Sequence, residues 1–469
     1  MTAWTGAWTG GFVRDAIGIG LRSDASRSLI PVEDLVGLAL RDNPKRAQLL
    51  VSTVLAKHVP TVPGLALAAG ELLGLLVRSA LDGSDPETAP FDTVAQLLSR
   101  RERPDADGLA ALTAVREHLA QLRDAAPAAG PELVTVGYAE TATGLGHIVA
   151  DALGSPYLHS TRHEADVPFT PFEEEHSHAS DHRLYPSDPA WATVGGTTVL
   201  VDDELSTGRT VRNTITALHA TTPQAHWVVA GLIDLRSDAD RQRFDELADS
   251  LGTRITVVAL GVGAVDLPED VLARARAVID AAPAASVAGS TATGDVVVVV
   301  DASDLPPVRS ARFGAPGRLD DAVTAAIADR VLPELPDGEV VVLGSEEFIA
   351  VPLAVAAHLD RTRGATRFST TTRSPIAVID RDDYAIASAV SFTSHDRTID
   401  GFGPRFAYNL SRAGSRFAAV VLFPEPGADR ELLLRPDGVV EALRTVTDHV
   451  IVVLLTESVP TPAEWNPAP

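Results

Sequence analysis

The chain has no cysteine, one methionine and, among 39 basic residues, only two lysines, Lys45 and Lys57. Without cysteine there is no disulfide, no thiolate nucleophile and no cysteine zinc site. Positive charge is scarce against 63 acidic residues, leaving a formal net charge of −24. That field argues against a general nucleic-acid or anionic-membrane binder, so any anionic ligand must be held by local cations. Both lysines fall in one short segment of an arginine-using chain, where a compact ammonium differs in geometry and hydration from a guanidinium. Long hydrophobic runs are also missing. The longest, Leu65 to Val77, contains Glu71 and is too short to span a bilayer. The first residues lack the basic stretch and apolar core of an export signal, so a soluble cytoplasmic protein is expected. The 469 residues, 45% apolar, suffice for two cores.

The most informative segment is 198–210, Thr-Val-Leu-Val-Asp-Asp-Glu-Leu-Ser-Thr-Gly-Arg-Thr. Val199, Leu200 and Val201 read as a buried parallel strand. The strand runs into Asp202 and Asp203, and a Ser/Thr/Gly loop leads to a helix with apolar spacing at Val211, Ile215 and Leu218. The two carboxylates therefore sit at the carboxyl end of a strand, where open α/β sheets bind ligands. Ser206 to Thr210 present N–H groups and hydroxyls at a helix N-terminus, which suits a phosphate. Carboxylates accepting from vicinal hydroxyls beside a phosphate loop describe a sugar-phosphate site. The pattern of a P-loop, G-x-x-x-x-G-K-[ST], is absent.

Around this segment, strands and helices alternate. Asn43-Pro44 reads as the cap of a helix through Leu49, Leu50, Val54 and Leu55 that stops before Pro60 and carries Arg46 and Lys57 on one face. Another helix is expected from about Asp107 to Ala125. Strand Leu133–Val136 ends in Gly137-Tyr138-Ala139-Glu140-Thr141 and precedes helix Leu145–Leu153. A strand near Tyr157–Ser160 leads to Thr161-Arg162-His163, and a polar excursion from Pro168 to Pro189 shows no helical or strand period. Strands Trp227–Leu232 and Ile255–Leu260 flank helix Asp238–Leu251. This alternation predicts a doubly wound parallel sheet with helices on both faces. Residues 281–294, small and uncharged, read as a linker. The expected domains are 1–280, with an N-terminal arm, and 295–457, a second α/β domain opening with strand Val296–Val300. Residues 458–469 are an expected proline-rich tail.

The second domain echoes the first. Aligning Gly137 with Gly344 places Glu140 on Glu347, and Thr161-Arg162 finds a counterpart in Thr372-Arg373. The later strand Ala419–Phe423 then meets Pro424-Glu425-Pro426-Gly427 instead of an acidic pair and phosphate loop. A degenerate second unit is the expectation and convergent strand–glycine–helix packing the alternative, with the strand order of the second sheet as the test. Glu346, Glu347, Thr372, Arg373 and Ser374 lie at expected strand ends and form a second-domain candidate site, with Arg405–Asn409 beside it. The excursion holds Phe169, Phe172, Glu173, Glu174, Glu175, His176, His178 and His182. Its length suits a lid whose histidines exchange protons near neutral pH. A solvated loop without catalytic role and a zinc site at His176, His178 and His182 are the alternatives.

The segment Val199–Thr210 resembles the 5-phosphoribosyl-1-diphosphate (PRPP) signature of type I phosphoribosyltransferases. The wider set, Asn43–Arg46, Lys57–Pro60, Glu174–His178, Val201–Thr210, Glu346-Glu347 and Thr372-Arg-Ser-Pro375, resembles a bacterial two-domain family. In it a phosphoribosyltransferase is fused to a domain named for its Thr-Arg-Ser-Pro motif, in tellurium-resistance and stress-response gene clusters. The resemblance implies an orotate-phosphoribosyltransferase-like fold and a glycosyltransferase moving 5-phosphoribosyl from PRPP to an unidentified small acceptor, with release of pyrophosphate, to make a nucleotide-like metabolite. It implies ribose-hydroxyl contacts at Asp202 and Asp203. Ser206, Thr207, Gly208, Arg209 and Thr210 would hold the 5-phosphate, and Tyr138, Ala139, Glu140, Thr141 and Lys57 would lie against pyrophosphate. Arg162, Glu174, His176 and His178 join the catalytic set. Magnesium is the implied cofactor, held largely through PRPP and water near Asp202 and Asp203. The implied partners are a second copy of the chain and other enzymes of the cluster. Glu140 stands where the family carries a basic residue, which leaves Arg162, Arg46, His58 or Lys57 to supply the charge. A non-catalytic PRPP or nucleotide sensor and a ribosyl-nucleotide hydrolase are the alternatives.

Overall fold

The computed structural model describes residues 7–41, 46–126, 130, 132–163, 170–173, 181–188, 190–282, 296–396, 401–412 and 415–458, with backbone alone at 170–173, 181–182 and 457. Strands in the first part are β1 (Gly20–Ser23), β2 (Val36–Leu40), β3 (Gln48–Ser52), β4 (Leu133–Gly137), β5 (Tyr157–His159), β6 (Thr170–Glu173), β7 (Asp181–Leu184), β8 (Thr197–Leu205), β9 (His226–Asp234) and β10 (Arg254–Asp266). The second part adds β11 (Val296–Asp301), β12 (Val308–Arg309), β13 (Val340–Gly344), β14 (Thr366–Thr370), β15 (Ala389–Thr393), β16 (Pro404–Tyr408), β17 (Ser411–Arg412), β18 (Ser415–Arg416), β19 (Ala419–Phe423), β20 (His449–Leu454) and β21 (Glu457–Ser458).

The first sheet has the order β1-β10-β9-β8-β4-β5, parallel except at β1, which is antiparallel to β10. The second runs β11-β20-β19-β13-β14 and is parallel throughout. Continuous apolar runs such as Val228-Val229-Ala230 and Val340–Leu343 are fully buried, as a sheet covered on both faces requires. The order β14-β13-β19-β20 repeats β5-β4-β8-β9. The fifth place differs: β10 closes the first unit from its carboxyl end, whereas β11 enters the second sheet from the start of its domain. The degenerate-unit expectation thus meets its test in four strands and fails in the fifth.

Three expectations are corrected. Residues 48–52 are not a helix but β3, paired antiparallel with β2 from Val36 opposite Ser52 to Leu40 opposite Gln48. A short apolar run fits helix and strand alike, and the matching run at 36–40 decides it by cross-strand pairing. The expected cap Asn43-Pro44 lies outside the described residues. Strands also interrupt the excursion, where β6 pairs antiparallel with β7. Finally, β8 does not stop at Val201 but continues through Asp202, Asp203 and Glu204 to Leu205.

The apolar run at Leu65 belongs to a longer helix, Pro63–Asp82, which by length and composition alone would reach across a membrane. Here it is a core helix: Leu65, Leu72, Leu73 and Val77 are buried, and Glu71 takes a forked bond from Arg116 at 2.8 and 3.1 Å. It crosses helix Ala142–Leu153 closely, since a Cβ on Gly74 would lie 2.4 Å from that of Ala152.

Backbone pairing joins the two parts. Thr61 and Phe368 exchange N–H···O bonds of 2.9 Å each way, and Thr370 N–H donates to Ala56 at 3.1 Å. The Asn409 amide donates to the carbonyl of His58 at 2.9 Å. The Thr143 hydroxyl, just after β4, donates to the carbonyl of Glu347, just after β13. The loops at the carboxyl ends of the two sheets therefore meet.

Candidate active site between the two sheets

Strand β8 keeps its register with β9 through its acidic end, with Asp202 opposite Gly231 and Glu204 opposite Ile233. The Asp203 N–H donates to Asp202 Oδ1 at 2.9 Å, so the pair is locked locally. Burial pushes the Asp203 carboxyl up, with Lys57 opposing and Glu204 adding to the rise. After Leu205 the chain turns through Gly208, at φ +68°, which caps helix Arg209–Thr221. A Cβ there would lie 2.6 Å from the Phe244 ring, so Gly is required on both counts. Behind Phe244 the Arg236 guanidinium stacks at 4.4 Å and forks onto Asp234 at 2.9 and 3.0 Å. The loop Ser206–Thr210 thus rests on a braced floor, with the helix N-terminus behind it.

A cavity of about 310 Å³ opens on this loop. One wall is Asp202, Asp203, Glu204 and Ser206–Thr210. Opposite stand Tyr138, Ala139, Glu140 and Thr141 after β4, with Lys57, His58 and Arg162. The hairpin β2–β3 adds Leu49, Leu50 and Ser52, and Arg41 and Arg46 flank it. Arg46 pairs with Glu204 across the opening. The second part of the chain contributes Arg373 and Ser374.

Arg373 is what joins the two sheets electrostatically. Its guanidinium lies 3.4 Å from Glu140 and 3.0 Å from Glu346, while Lys57 Nζ lies 3.7 Å from Glu140 and donates to the Thr141 hydroxyl at 2.7 Å. Burial raises the Glu140 carboxyl, but Lys57, Arg373, Arg162 and Arg405 together outweigh it and hold the group below the usual carboxylate range. Glu346 is bonded by Arg405 as well as Arg373, yet burial and the neighbouring Glu140 push it up. So two carboxylates and several cations are packed at one edge of the cavity.

Deeper in, Glu347 accepts from the Thr161 hydroxyl at 2.6 Å and from the Arg162 N–H at 3.0 Å. Burial opposes its ionisation, but His163, Arg312 and His159 hold it down at about 2. Burial lowers His163 to about 3. His163, Glu347 and Glu425 bring ligand-type atoms within 4.8 Å of one another, the one such group among the described residues. Arg312 already stands in the cationic place there, 3.2 Å from Glu425 and 3.6 Å from Glu347.

A family model described as phosphoribosyl transferase matches residues 35–264, and one described as a TRSP domain C-terminal to it matches residues 309–443. The chain belongs to this two-domain family. Among solved structures it is similar to adenine phosphoribosyltransferase from Leishmania donovani, at 19% identity over 34% of this chain and 71% of that one, with a TM-score of 0.23. The Leishmania tarentolae enzyme gives 19% over 37% and 81%, with a TM-score of 0.23. The Trypanosoma brucei enzyme, in complex with AMP, pyrophosphate and ribose-5-phosphate, gives 14% over 34% and 71%, with a TM-score of 0.22. No curated protein matches.

Most sequence candidates of the phosphoribosyl transferase domain line the one cavity: Lys57, Tyr138, Ala139, Glu140, Thr141, Arg162, Asp202, Asp203 and Ser206 to Thr210. Glu174, His176 and His178 lie outside the described residues, as does any zinc set built on His176 and His178. The second-domain candidate site is not one place. Arg373 and Ser374 of the TRSP domain belong to the first cavity, Glu346 anchors Arg373, and Glu347 turns to Arg312. Thr372 is buried and exchanges backbone bonds of 2.9 and 2.7 Å with Phe406. Sequence reading missed Leu49, Leu50 and Ser52 as lining residues, because β3 was read as part of a helix, and it did not single out Arg41. It also missed that Arg373 completes the first site; the Glu140 departure from the basic pattern was the available signal.

Proposed function

We propose that the chain transfers 5-phosphoribosyl from PRPP to a small-molecule acceptor and releases pyrophosphate. The observation that carries this reading is the convergence of Asp202-Asp203, the Ser206–Thr210 loop and the Lys57–Glu140–Arg373 cluster on one cavity. The loop holds the 5-phosphate on N–H groups and hydroxyls. Asp202 and Asp203 accept from the ribose 2- and 3-hydroxyls. They also stabilise positive charge at the anomeric carbon as its bond to the pyrophosphate oxygen breaks and the acceptor's bond forms. Lys57 and Arg373 receive the departing charge, doing the work of the basic residue that Glu140 replaces. The acceptor's proton leaves to solvent or to the lid.

The residues present fit magnesium. Asp202 and Asp203 are hard oxygen donors, and the upward push on Asp203 is a strain that a cation relieves. When bound there with PRPP it would offset pyrophosphate charge. The setting we infer is cytoplasmic and dimeric, beside enzymes of a tellurium-resistance and stress-response cluster, with domains at 1–280 and 295–457; this rests on the family resemblance.

One observation favours a second reading. Glu140 already sits among Lys57 and Arg373 where pyrophosphate would lie, as in a sensor that binds without turnover. Incubating the chain with magnesium, PRPP and candidate bases, and measuring pyrophosphate, separates the cases. Base-dependent release supports transfer. PRPP binding without release indicates the sensor, and base-independent release indicates hydrolysis.

A further inference from the structure

A second cavity, of about 500 Å³, is lined by helices from both parts of the chain. Helix Pro63–Asp82 lends Leu67 and Glu71, helix Ala106–Ala125 lends Arg116, Ala120 and Arg123, and helix Ala142–Leu153 lends His147, Ile148 and Asp151. From the TRSP side come Arg318, Leu319, helix Asp321–Val331 and one face of helix Ala350–Arg363 with Ala354, His358 and Arg361. Its walls are apolar or alanine-lined, and its polar groups are mostly basic: four arginines and two histidines against Glu71, Asp151 and Asp321. In a chain of net charge −24 this is a local inversion.

The arginines are not equivalent. Arg116 is forked onto Glu71, Arg123 reaches Asp151 at 2.8 Å, and Arg318 is 3.6 Å from Asp124. Arg361 has no carboxylate within ion-pair distance among the described residues, and its nearest polar contact is His358 Nδ1 at 3.4 Å. Partial burial and the charge of Arg116 work against its ionisation, while Asp321 and Asp360 favour it from beyond ion-pair distance. On the floor, His147 is buried and neutral, one ring nitrogen bonded to the Gly317 backbone, while its Nε2 has no hydrogen-bond partner. A guanidinium with no carboxylate within ion-pair distance, set among apolar walls, suits a ligand with an anionic group and an apolar ring.

We propose that this cleft is a second, non-catalytic site for an organic phosphate of nucleoside-monophosphate size. It differs from the phosphate loop in place and in residues, and it does not depend on the PRPP reading. It also has a route to the active cavity. The three helices from the first part begin after, or pack upon the one that begins after, the Glu140–Thr141 loop, and helix Ala350–Arg363 begins just past Glu346-Glu347.

The test is calorimetric titration of the full chain with AMP, inorganic phosphate and adenosine. The variants are Arg361→Ala, Ala325→Trp to fill the cleft from a half-buried wall, and Thr207→Glu to repel phosphate from the catalytic loop. AMP is expected to bind the parent and Thr207→Glu alike, and about tenfold or more weaker in Arg361→Ala and Ala325→Trp. Adenosine and inorganic phosphate are each expected to bind about tenfold weaker than AMP. Arg361 is exposed, so loss in that variant without a change in melting temperature excludes misfolding. AMP binding that is absent, lost in Thr207→Glu, or untouched by Arg361→Ala overturns the site. Inorganic phosphate binding as tightly as AMP overturns the nucleoside-sized ligand. A chain that fails to release pyrophosphate yet shows this pattern leaves the cleft standing while the transfer reading falls.

Discussion

The two sheets share four strands of one topology and do opposite things with their carboxyl ends. In the phosphoribosyl transferase sheet, β8 ends in an acidic pair and a Gly208 turn that opens a cavity. In the TRSP sheet the equivalent strand β19 runs into Pro424 and Glu425, and the same region is filled by Arg312, Glu347 and His163. One end keeps space for a ligand; the other spends its polar groups on each other. Their loops after β4 and β13 then lock through Arg373, so the filled sheet buttresses the open one and gives it a cation.

The sharpest break in this comparison is at the acidic pair. Asp202→Asn with Asp203→Asn is expected to cut pyrophosphate release by about a hundredfold or more while the fold persists, read by steady-state assay and thermal melting. Gly208→Val puts a branched residue at φ +68° and into Phe244. It is expected to cost about 1–3 kcal/mol in denaturant unfolding and to raise KM for PRPP well above any change in a matching Gly427→Val variant of the TRSP sheet. Gly427 also has a positive φ, but nothing lies within 4 Å of its Cβ position.

Arg373→Ala removes the partner of two buried carboxylates. A loss of about 3 kcal/mol in denaturant unfolding is expected, with partial recovery in the Glu140→Gln double variant.

Acid should loosen the filled sheet first. His163 and His395 are lowered by burial from 6.5 to about 3 and about 4, so the stability they add is complete above pH 6.5 and is lost as pH falls through those values. Glu347, held at about 2 from 4.5, adds stability that disappears below pH 4.5, whereas Asp396, raised by burial to about 6, opposes the trend. A melting temperature that drops by about a few degrees between pH 6.5 and 4.5, with a shallower drop in His163→Gln, is the expected record. The smallest effect belongs to Arg46→Ala at the cavity mouth, about 1 kcal/mol or less in PRPP binding.

What was legible in the sequence was local. The parallel strands announced themselves as continuous apolar runs, and helix Asp238–Leu251 lies where it was expected between two of them. The loop Ser206–Thr210 was readable as a candidate site because carboxylates, hydroxyls and Gly208 follow in fixed order. The β2–β3 hairpin was not, since its cross-strand pairing, Val36 to Ser52 through Leu40 to Gln48, leaves no periodic mark in a short apolar run. Nor was the union of Arg373 with Glu140, two residues far apart in the chain that meet only when both sheets turn their carboxyl ends inward. The echo of Glu140 in Glu347 was visible in sequence; that these loops face one another was not.

Titration calorimetry of PRPP and of ribose 5-phosphate, with magnesium, against the parent chain and Arg373→Ala tests the shared site most directly. The variant is expected to bind PRPP about tenfold or more weakly and ribose 5-phosphate unchanged, because in the proposed transfer Arg373 meets the pyrophosphate and not the ribose phosphate. Equal PRPP affinity in both proteins would contradict a site built from two sheets.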